Sequence, residues 1–559
     1  MNDEVGEYQV NRQTDNDEPR TEPQRGSGHV AMVGAGPGDP ELLTLRAVAL
    51  LGRADVVVTV REPGSELAPY REQLLAHCPD DVQIIRPEEC SGDTDELAVS
   101  YAAQGCRVVR LYSGDPLLGC HGQRLGAACA AAGIDVEIAP GLSSISAVPA
   151  YAGIPLTSNE IPGVRVLDAK RGEVSAETVG STDDAATLVV LFPDTGLEYV
   201  LSALQSGGRS ADTPVAMVRM GTTTEQTTVV STLSRLTTDL KSADAKGAAV
   251  PTPALLVVGE VVRYREQLSW FETRALFGWR VLVPRTKEQA AEFSEQLRGY
   301  GAVPEEVPTI SVEPPRTPQQ IERAVRGLVN GRYQWVAFTS TNAVRAIRER
   351  LEGYELDARA FAGVKVAAVG EQTAAALRAF GIQPDLLAPQ EAQSTAGLLQ
   401  VWPPYDAELD PIERVLLPRA DIATESLAAG LGERGWEVDD VTAYRTVRAA
   451  PPPASTREAI KGGGFDAVLF TSSSTVRNLV GIAGKPHATT VIGVIGPETE
   501  KTAAEYGLRV DVVAPKASVA ALATAVAEYG IHLRAEAIAA KKPVLRPSQK
   551  RRARRRKIT

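Results

Sequence analysis

The 559-residue chain is poor in aromatic side chains, which make up 5% of it, and it holds only five cysteines and five histidines. Cys78, Cys90, Cys106, Cys120 and Cys129 all lie in the first quarter, are odd in number and contain no C-x-x-C. That spacing supplies neither a disulfide framework nor a zinc site, and it fits a reducing cytosol. One adjacent pair, Cys120 and His121, falls far short of a four-ligand set, so no metal is expected. No run approaches the ~18 apolar residues of a membrane span, and the first residues are acidic and polar, which argues against a signal peptide and for the cytoplasm. Positive charge is scarce outside one stretch. The formal net charge is -11, and residues 541–559 hold ten Lys or Arg and no acid, so the remainder carries -21. An acidic body argues against nucleic acid as the main partner.

What is present is enough apolar content, 43%, to build roughly three or four domains. Residues 1–27 are polar and acidic with almost nothing to bury, and read as a disordered leader. The chain then opens on an apolar run, Val30 to Val33, a turn in which Gly34, Gly36 and Gly38 alternate with Ala35 and Pro37, and a helical pattern from Leu42 onward, with Asp39 and Thr44 near its start. Glycine is needed where φ is positive or where a ligand lies against bare backbone, and the N–H groups of such a turn suit a carboxylate, a phosphate or an adenosine edge. A dinucleotide fingerprint would place its third glycine at position 39, where Asp39 stands. The turn therefore predicts a nucleotide-like cofactor of another kind.

Val56–Val60, Arg107–Leu111 and Val136–Ala139 read as further buried parallel strands, the last two followed by loops rich in Gly, Ser and Asp. In an open α/β sheet, ligands gather at the carboxyl ends of strands, so these loops are expected to meet at one site. Their strings carry a resemblance. GAGPGDPELLTLRA (34–47), RVVRLYSGDPLLGCHG (107–122), APGLSSISAVPAYAGIPLT (139–157), TPVAMVRMGTTTEQTTVVSTL (213–233) and PALLVVGEVV (253–262) resemble, in order, the motifs of the tetrapyrrole methylases, in particular uroporphyrinogen-III C-methyltransferase. The resemblance implies S-adenosylmethionine as cofactor, held by Pro37, Ser113, Gly114, Asp115, Leu118, Ser143, Ser144, Phe192 and Gly221, and it admits a homodimer through this domain. The lesser alternative for Asp115 is a turn residue before Pro116.

The departures fall on the tetrapyrrole side. The family's Tyr-Asp after the second strand is here Thr59-Val60, with no carboxylate. Its Phe-Gly-Arg-Gly is Gly119-Cys120-His121-Gly122, and its Thr-His-Arg is Thr157-Ser158-Asn159. A polycarboxylate substrate favours Arg or Lys in its pocket, and two of the usual arginines are absent. Two readings stay open: an active methyltransferase, or a cofactor-binding scaffold module.

The second half repeats itself at an offset of about 130 residues, too long for a solenoid and right for two similar α/β domains. VLVPRT (281–286) recurs as VLLPRA (415–420), FTSTNAV (338–344) as FTSSSTV (470–476), and VGEQTA (369–374) as IGPETE (495–500). The pairs Arg285 and Arg419, Thr339-Ser340 and Thr471-Ser472, and Gly370 and Gly496 all follow predicted strands. Hydroxyls and N–H groups there either cap helices or bind carboxylates, and both roles can hold together. These strings, with VAAVG (366–370), VTAYRTV (441–447) and VVAPKASVAAL (512–522), resemble uroporphyrinogen-III synthase. That family turns the linear hydroxymethylbilane into uroporphyrinogen III with loss of water and inversion of the last ring, and needs no cofactor. Tyr444 matches its tyrosine and is the candidate general acid, or else a packing tyrosine. Ser518 is the matching hydroxyl near the last helix.

The expected architecture is α/β throughout: a leader (1–27), a methylase fold of two α/β subdomains (28–265), a packed aromatic linker (266–277), two flavodoxin-like parallel domains (278–315 plus 450–532, and 316–449), and a solvated basic tail (533–559). Glu313-Pro314-Pro315-Arg316 and Ala449 to Ala454 are the expected crossings. The function expected from the two resemblances is bifunctional tetrapyrrole synthesis. A synthase-like DNA-binding regulator is the remote alternative, and no helix-turn-helix pattern beside the tail supports it.

Overall fold

The strands at the centre of each sheet are short apolar runs such as VAMV (30–33), ALLVV (254–258) and AVLF (467–470). Residues 28–60, 68–90, 92–118, 122–169, 186–191, 196–245, 254–285, 287–421 and 426–550 are described by a computed structural model; the leader, Phe192, residues 119–121 and the end of the basic run lie outside them. The chain divides into two units, Met1–Phe277 and Gly278–Thr559. Among the described residues no helix is long and apolar enough to cross a membrane.

In the first unit β1 (His29–Gly34), β2 (Val56–Val58), β3 (Gln83–Ile85), β4 (Arg107–Tyr112) and β5 (Asp135–Ala139) make a parallel sheet in the order β3-β2-β4-β1-β5. Alternate residues feed two cores, Ala31, Val33, Val57, Val109 and Leu111 on one face and Val30, Met32, Val56, Val58 and Val108 on the other. Two buried faces explain the unbroken apolar runs. β6 (Val164–Asp168), β7 (Thr187–Leu191), β8 (Pro214–Arg219), β9 (Thr227–Thr232) and β10 (Ala254–Val258) form a second sheet, β6-β7-β10-β8-β9, in which only β6 and β7 run parallel. In residues 266–277 the aromatic side chains pack: Trp270 and Phe271 stand edge-on to Tyr151 and tilted to each other, Phe277 stands edge-on to Phe271, and Phe271 is buried.

The second unit holds β11 (Arg280–Val283), β12 (Val303–Glu306), β13 (Ile310–Glu313), β14 (Trp335–Phe338), β15 (Lys365–Ala368), β16 (Leu386–Leu387), β17 (Arg414–Ala420), β18 (Glu437–Arg448), β19 (Ala467–Phe470), β20 (Val491–Val494) and β21 (Val512–Val513). One sheet is β12-β11-β19-β20-β21, all parallel; the other is β18-β17-β14-β15-β16, with β13 antiparallel to the far end of β18. By chain order the first is 2-1-3-4-5, the flavodoxin arrangement, and the second 3-2-1-4-5. The repeat motifs make the two equivalent in space, since β11 matches β17, β14 matches β19, and β15 matches β20. Each sheet therefore takes two strands from one copy of the repeat and three from the other.

Two expected boundaries move. The first crossing lies at 307–309, ahead of Glu313-Pro314-Pro315-Arg316, because Ile310–Glu313 has already left the first sheet and pairs with Arg445–Arg448. The two crossing strands thus satisfy each other's backbone, and Arg445 adds an ion pair to Glu313. At the other end the helix Val519–Ala539 runs past residue 532 on helix-forming Ala, Glu and Leu. The basic run starts exposed at Lys541 and Lys542 but is docked around 546–548: the Arg546 guanidinium donates to the Gly278 carbonyl, and the Ser548 N–H donates to Asp466 Oδ1 at 2.8 Å.

Candidate functional site

In the first unit four loops meet at the carboxyl end of the parallel sheet. After β1, Ala35 N donates to the Tyr112 carbonyl at 2.8 Å, and Gly36 and Gly114 exchange backbone hydrogen bonds at 3.3 and 2.8 Å. Gly36 and Gly114 both have positive φ, 76° and 70°. Gly34 and Gly141 lie so close that a Cβ on either would collide with the other's backbone. Asp115 ties the loops together: Oδ1 accepts from Leu117 N at 2.8 Å and Oδ2 from Gly141 N at 3.2 Å. Ser143 caps the helix Ser144–Tyr151, accepting from Ile145 N at 3.2 Å. The fourth loop carries Gly221 between Met220 and Thr222, non-glycine residues at φ 49° and 66°. Such backbone is strained by about 1 kcal/mol or more per residue and clusters at ligand sites.

Of the residues expected to hold a cofactor, Pro37, Ser113, Gly114, Asp115, Ser143, Ser144 and Gly221 are thus brought to one place. Leu118 is half exposed just beyond Asp115, and Phe192 lies outside the described residues. Of the Thr59-Val60 pair that replaces the family's Tyr-Asp, Val60 packs partly buried against the core, and Thr59 is fully buried; the Thr59 hydroxyl donates to the Ile85 carbonyl at 3.4 Å, and its carbonyl accepts from Arg110 at 2.7 Å. Arg110 also pairs with Asp95, which binds Arg124 as well.

The sequence reading missed a connected set beside the loops. Asp39 N donates to Thr222 Oγ1 at 3.1 Å, Asp39 Oδ1 accepts from Glu41 N at 3.0 Å, and Asp39 Oδ2 accepts from the Tyr151 phenol at 2.8 Å. Burial, with the Asp39 bond second, pushes the Tyr151 phenol well above its ordinary value, so it stays the donor. Asp39 was legible only as a helix-start residue, which it also is.

In the second unit the expected arginines and Thr-Ser pairs sit where each sheet's strand order reverses, while Gly370, Gly496 and Ser518 follow strands farther out. Arg285 follows β11 and Thr471-Ser472 follow β19, which are neighbours; Thr339-Ser340 follow β14 and Arg419 ends β17, also neighbours. Ligands in open α/β sheets bind at such switch points. Ser340, Ser472 and Ser518 each cap the helix that follows, and Gly370 and Gly496 begin helices. The Tyr444 phenol, on β18, shares a 2.9 Å hydrogen bond with Ser340 Oγ, and its ring is buried in the core of this sheet. The two arginines differ. Arg419 is paired with Asp440. Arg285 is half-buried without a side-chain hydrogen bond or ion pair among the described residues, and burial pushes its guanidinium below the ordinary value.

Comparison with known proteins follows the same division. Residues 29–237 match the family described as Tetrapyrrole (Corrin/Porphyrin) Methylases, and residues 291–524 the family described as Uroporphyrinogen-III synthase HemD. A porphyrin biosynthesis protein HemD from Ruminiclostridium josui is 29% identical over 90% of this chain and 98% of its own length. A siroheme synthase from Azotobacter vinelandii is 38% identical over 44% of this chain and 53% of its own, so the chain spans about half the length of that relative. Among solved structures, uroporphyrin III C-methyltransferase from Thermus thermophilus is 31% identical over 42% of this chain and 94% of its own, with a TM-score of 0.34. The chain belongs to two families in tandem, the tetrapyrrole methylases through its first unit and the uroporphyrinogen-III synthases through its second.

Proposed function

We infer that the chain is a bifunctional enzyme of tetrapyrrole biosynthesis. The second unit closes hydroxymethylbilane to uroporphyrinogen III with inversion of ring D, and the first C-methylates that product to precorrin-2 with S-adenosylmethionine. The observation that carries the synthase reading is the Tyr444–Ser340 pair beside the switch point, with Arg285, which has no side-chain partner among the described residues, on the matching rim. Loss of hydroxide from the bilane leaves a cationic azafulvene. In this reading Tyr444 donates its phenol proton to the departing oxygen, so that water leaves. Arg285 offers a bilane carboxylate the counter-ion it lacks, and the N–H groups at the helix starts after Thr339, Gly370, Thr471, Gly496 and Lys516-Ala517 offer more. The larger contribution is to fold the flexible chain so that the correct carbon is attacked. Hydroxymethylbilane supplied to the protein must give the III isomer; accumulation of the spontaneously formed I isomer alone would refute the assignment.

For the first unit, the loops carrying Gly34, Gly114 and Gly141 pack backbone against backbone, so closely at Gly34 and Gly141 that neither tolerates a Cβ, and the bare N–H groups of such turns suit a nucleoside edge. Pro37, Ser113, Gly114, Asp115, Leu118, Ser143, Ser144, Phe192 and Gly221 would hold S-adenosylmethionine, which supplies an electrophilic methyl group. A second reading, donor binding without catalysis, is favoured by one observation: the family's Tyr-Asp is here Thr59, buried and bonded to main chain, and Val60, partly buried against the sheet's core, so neither position offers a carboxylate. Incubation with uroporphyrinogen III and labelled S-adenosylmethionine decides between them, since transfer of label above background ends the scaffold reading. The reading includes a cytoplasmic location and a homodimer through the first unit, whose exposed Leu45, Leu117, Leu118 and Leu142 a second copy would cover.

A further inference from the structure

The segment that leads toward the second unit reaches back to the cofactor loops. Glu272 is its centre. Oε1 accepts from Gln226 Nε2 at 2.8 Å and from Thr228 Oγ1 at 2.5 Å, and Oε2 accepts from Arg265 at 2.8 Å. The Glu272 and Arg265 side chains are 16% and 15% exposed, so the charges are largely desolvated. Gln226, itself buried, turns its Oε1 to Thr222 N at 2.8 Å and so holds that residue in its left-handed conformation. The Thr222 hydroxyl takes the N–H of Asp39, and Asp39 takes the phenol of Tyr151. The Tyr151 ring stands edge-on to Phe271, 4.6 Å between centroids, and Phe271 precedes Glu272 in the chain. The path Glu272–Gln226–Thr222–Asp39–Tyr151–Phe271 is therefore closed. Arg265 also donates to the Ala152 carbonyl, and Trp270 Nε1 to the Ala150 carbonyl at 3.0 Å, so the same segment fastens the end of the helix that Ser143 caps.

We propose that Glu272 and Tyr151 are positioning residues for the methyl-donor site, and that the segment 265–272 sets the geometry of the loops at 36–41 and 220–226. Neither residue touches the reacting atoms; each acts through Asp39 and Thr222. The ring begins and ends beyond residue 237, where the match to the methylase family stops. Two strained residues flank Gly221, and strained backbone persists only where surrounding structure over-determines it. The ring supplies that constraint. With Glu272 uncharged, Arg265 is left as a desolvated cation and the Gln226 amide loses its anchor, so Thr222 is free to leave φ 66° and to release Asp39.

The inference rests on the donor reading above, and its test separates the two. Full-length chain is titrated with S-adenosylhomocysteine by calorimetry as wild type, E272Q, Y151F and the double variant, with conversion of hydroxymethylbilane by the second unit recorded on each preparation to show that the chain is folded. Each single variant is expected to weaken binding about tenfold, the loss of one charge-assisted hydrogen bond. Because both break the same ring, the double variant is expected to bind no more than about twofold worse than either single one. In methyl transfer the KM for the donor rises with binding while kcat holds within about twofold, as for a residue that places a loop. Wild-type binding in the single variants, or multiplication of the two effects in the double, would overturn the ring as a positioning device. A wild-type chain that takes up no S-adenosylhomocysteine overturns the donor reading, and the ring with it.

Discussion

Ser340 does two things at once. Its Oγ accepts the Ala343 N–H at 3.2 Å, which caps the helix Thr341–Glu352, and it shares 2.9 Å with the Tyr444 phenol. A hydroxyl has two lone pairs and one proton, so the cap leaves it free to orient the tyrosine. Removing the phenol in Y444F keeps the ring's packing and the cap while deleting the proton donor. The rate of uroporphyrinogen III formation should fall about a hundredfold with KM little changed, the range of a single general acid. A packing tyrosine would leave the rate intact. Arg285→Met separates binding from chemistry: it removes a half-buried cation that has no partner among the described residues, so KM for hydroxymethylbilane should rise about tenfold while kcat moves less. The Thr-Ser strings disclosed both of their roles in the sequence, because capping and anion binding use the same groups. The Tyr444–Ser340 bond was not legible, because it joins residues 104 positions apart. The same holds for Tyr151 and Asp39, 112 apart.

At the level of elements, the strand-turn-helix units of both halves could be read from apolar runs and the residues that end them, since a strand buried on two faces has no polar alternation to mislead. The loops' convergence followed from the rule that parallel strands end on one side. Three features did not follow. Docking of residues 546–548 depends on Asp466 and Gly278, which no charge pattern reveals. The position of the first crossing depends on β13 pairing with β18, and prolines mark a turn without saying which sheet precedes it. Met220 and Thr222 give no sign in sequence of a left-handed backbone, a conformation ordinarily left to Gly or Asn. The close approach of Gly141 to Gly114 and Gly34 can be probed directly. In G141A the methyl group would meet the Gly114 carbonyl, and separating the loops should weaken S-adenosylhomocysteine binding at least about tenfold while uroporphyrinogen III formation is unchanged. Unchanged donor affinity would mean that this junction lies outside the site.

For the whole molecule, sequence repeats suggested two similar domains in the second unit, yet the chain builds each sheet from parts of both copies. Repeat strings report which strands are alike and not which strands pair. The exchange has a consequence for folding: β11 and β12 cannot complete their sheet until β19 to β21 have formed, some 160 residues later, so the second unit closes late and over long loops. The first unit carries no such dependence, and its boundary at Phe277 is where the chain should divide. Co-expressed as 1–277 and 278–559, the two pieces are expected to keep S-adenosylhomocysteine binding and uroporphyrinogen III formation respectively. Moving the break to follow Tyr264 takes Arg265, Phe271 and Glu272 out of the first piece, which opens the ring on both sides. Donor binding by 1–264 should then drop by about tenfold or more, because both the ion-paired anchor and the aromatic wall of Tyr151 are gone. If 1–264 binds the probe as tightly as 1–277, the loops hold themselves, and the segment between the two units is only a connection.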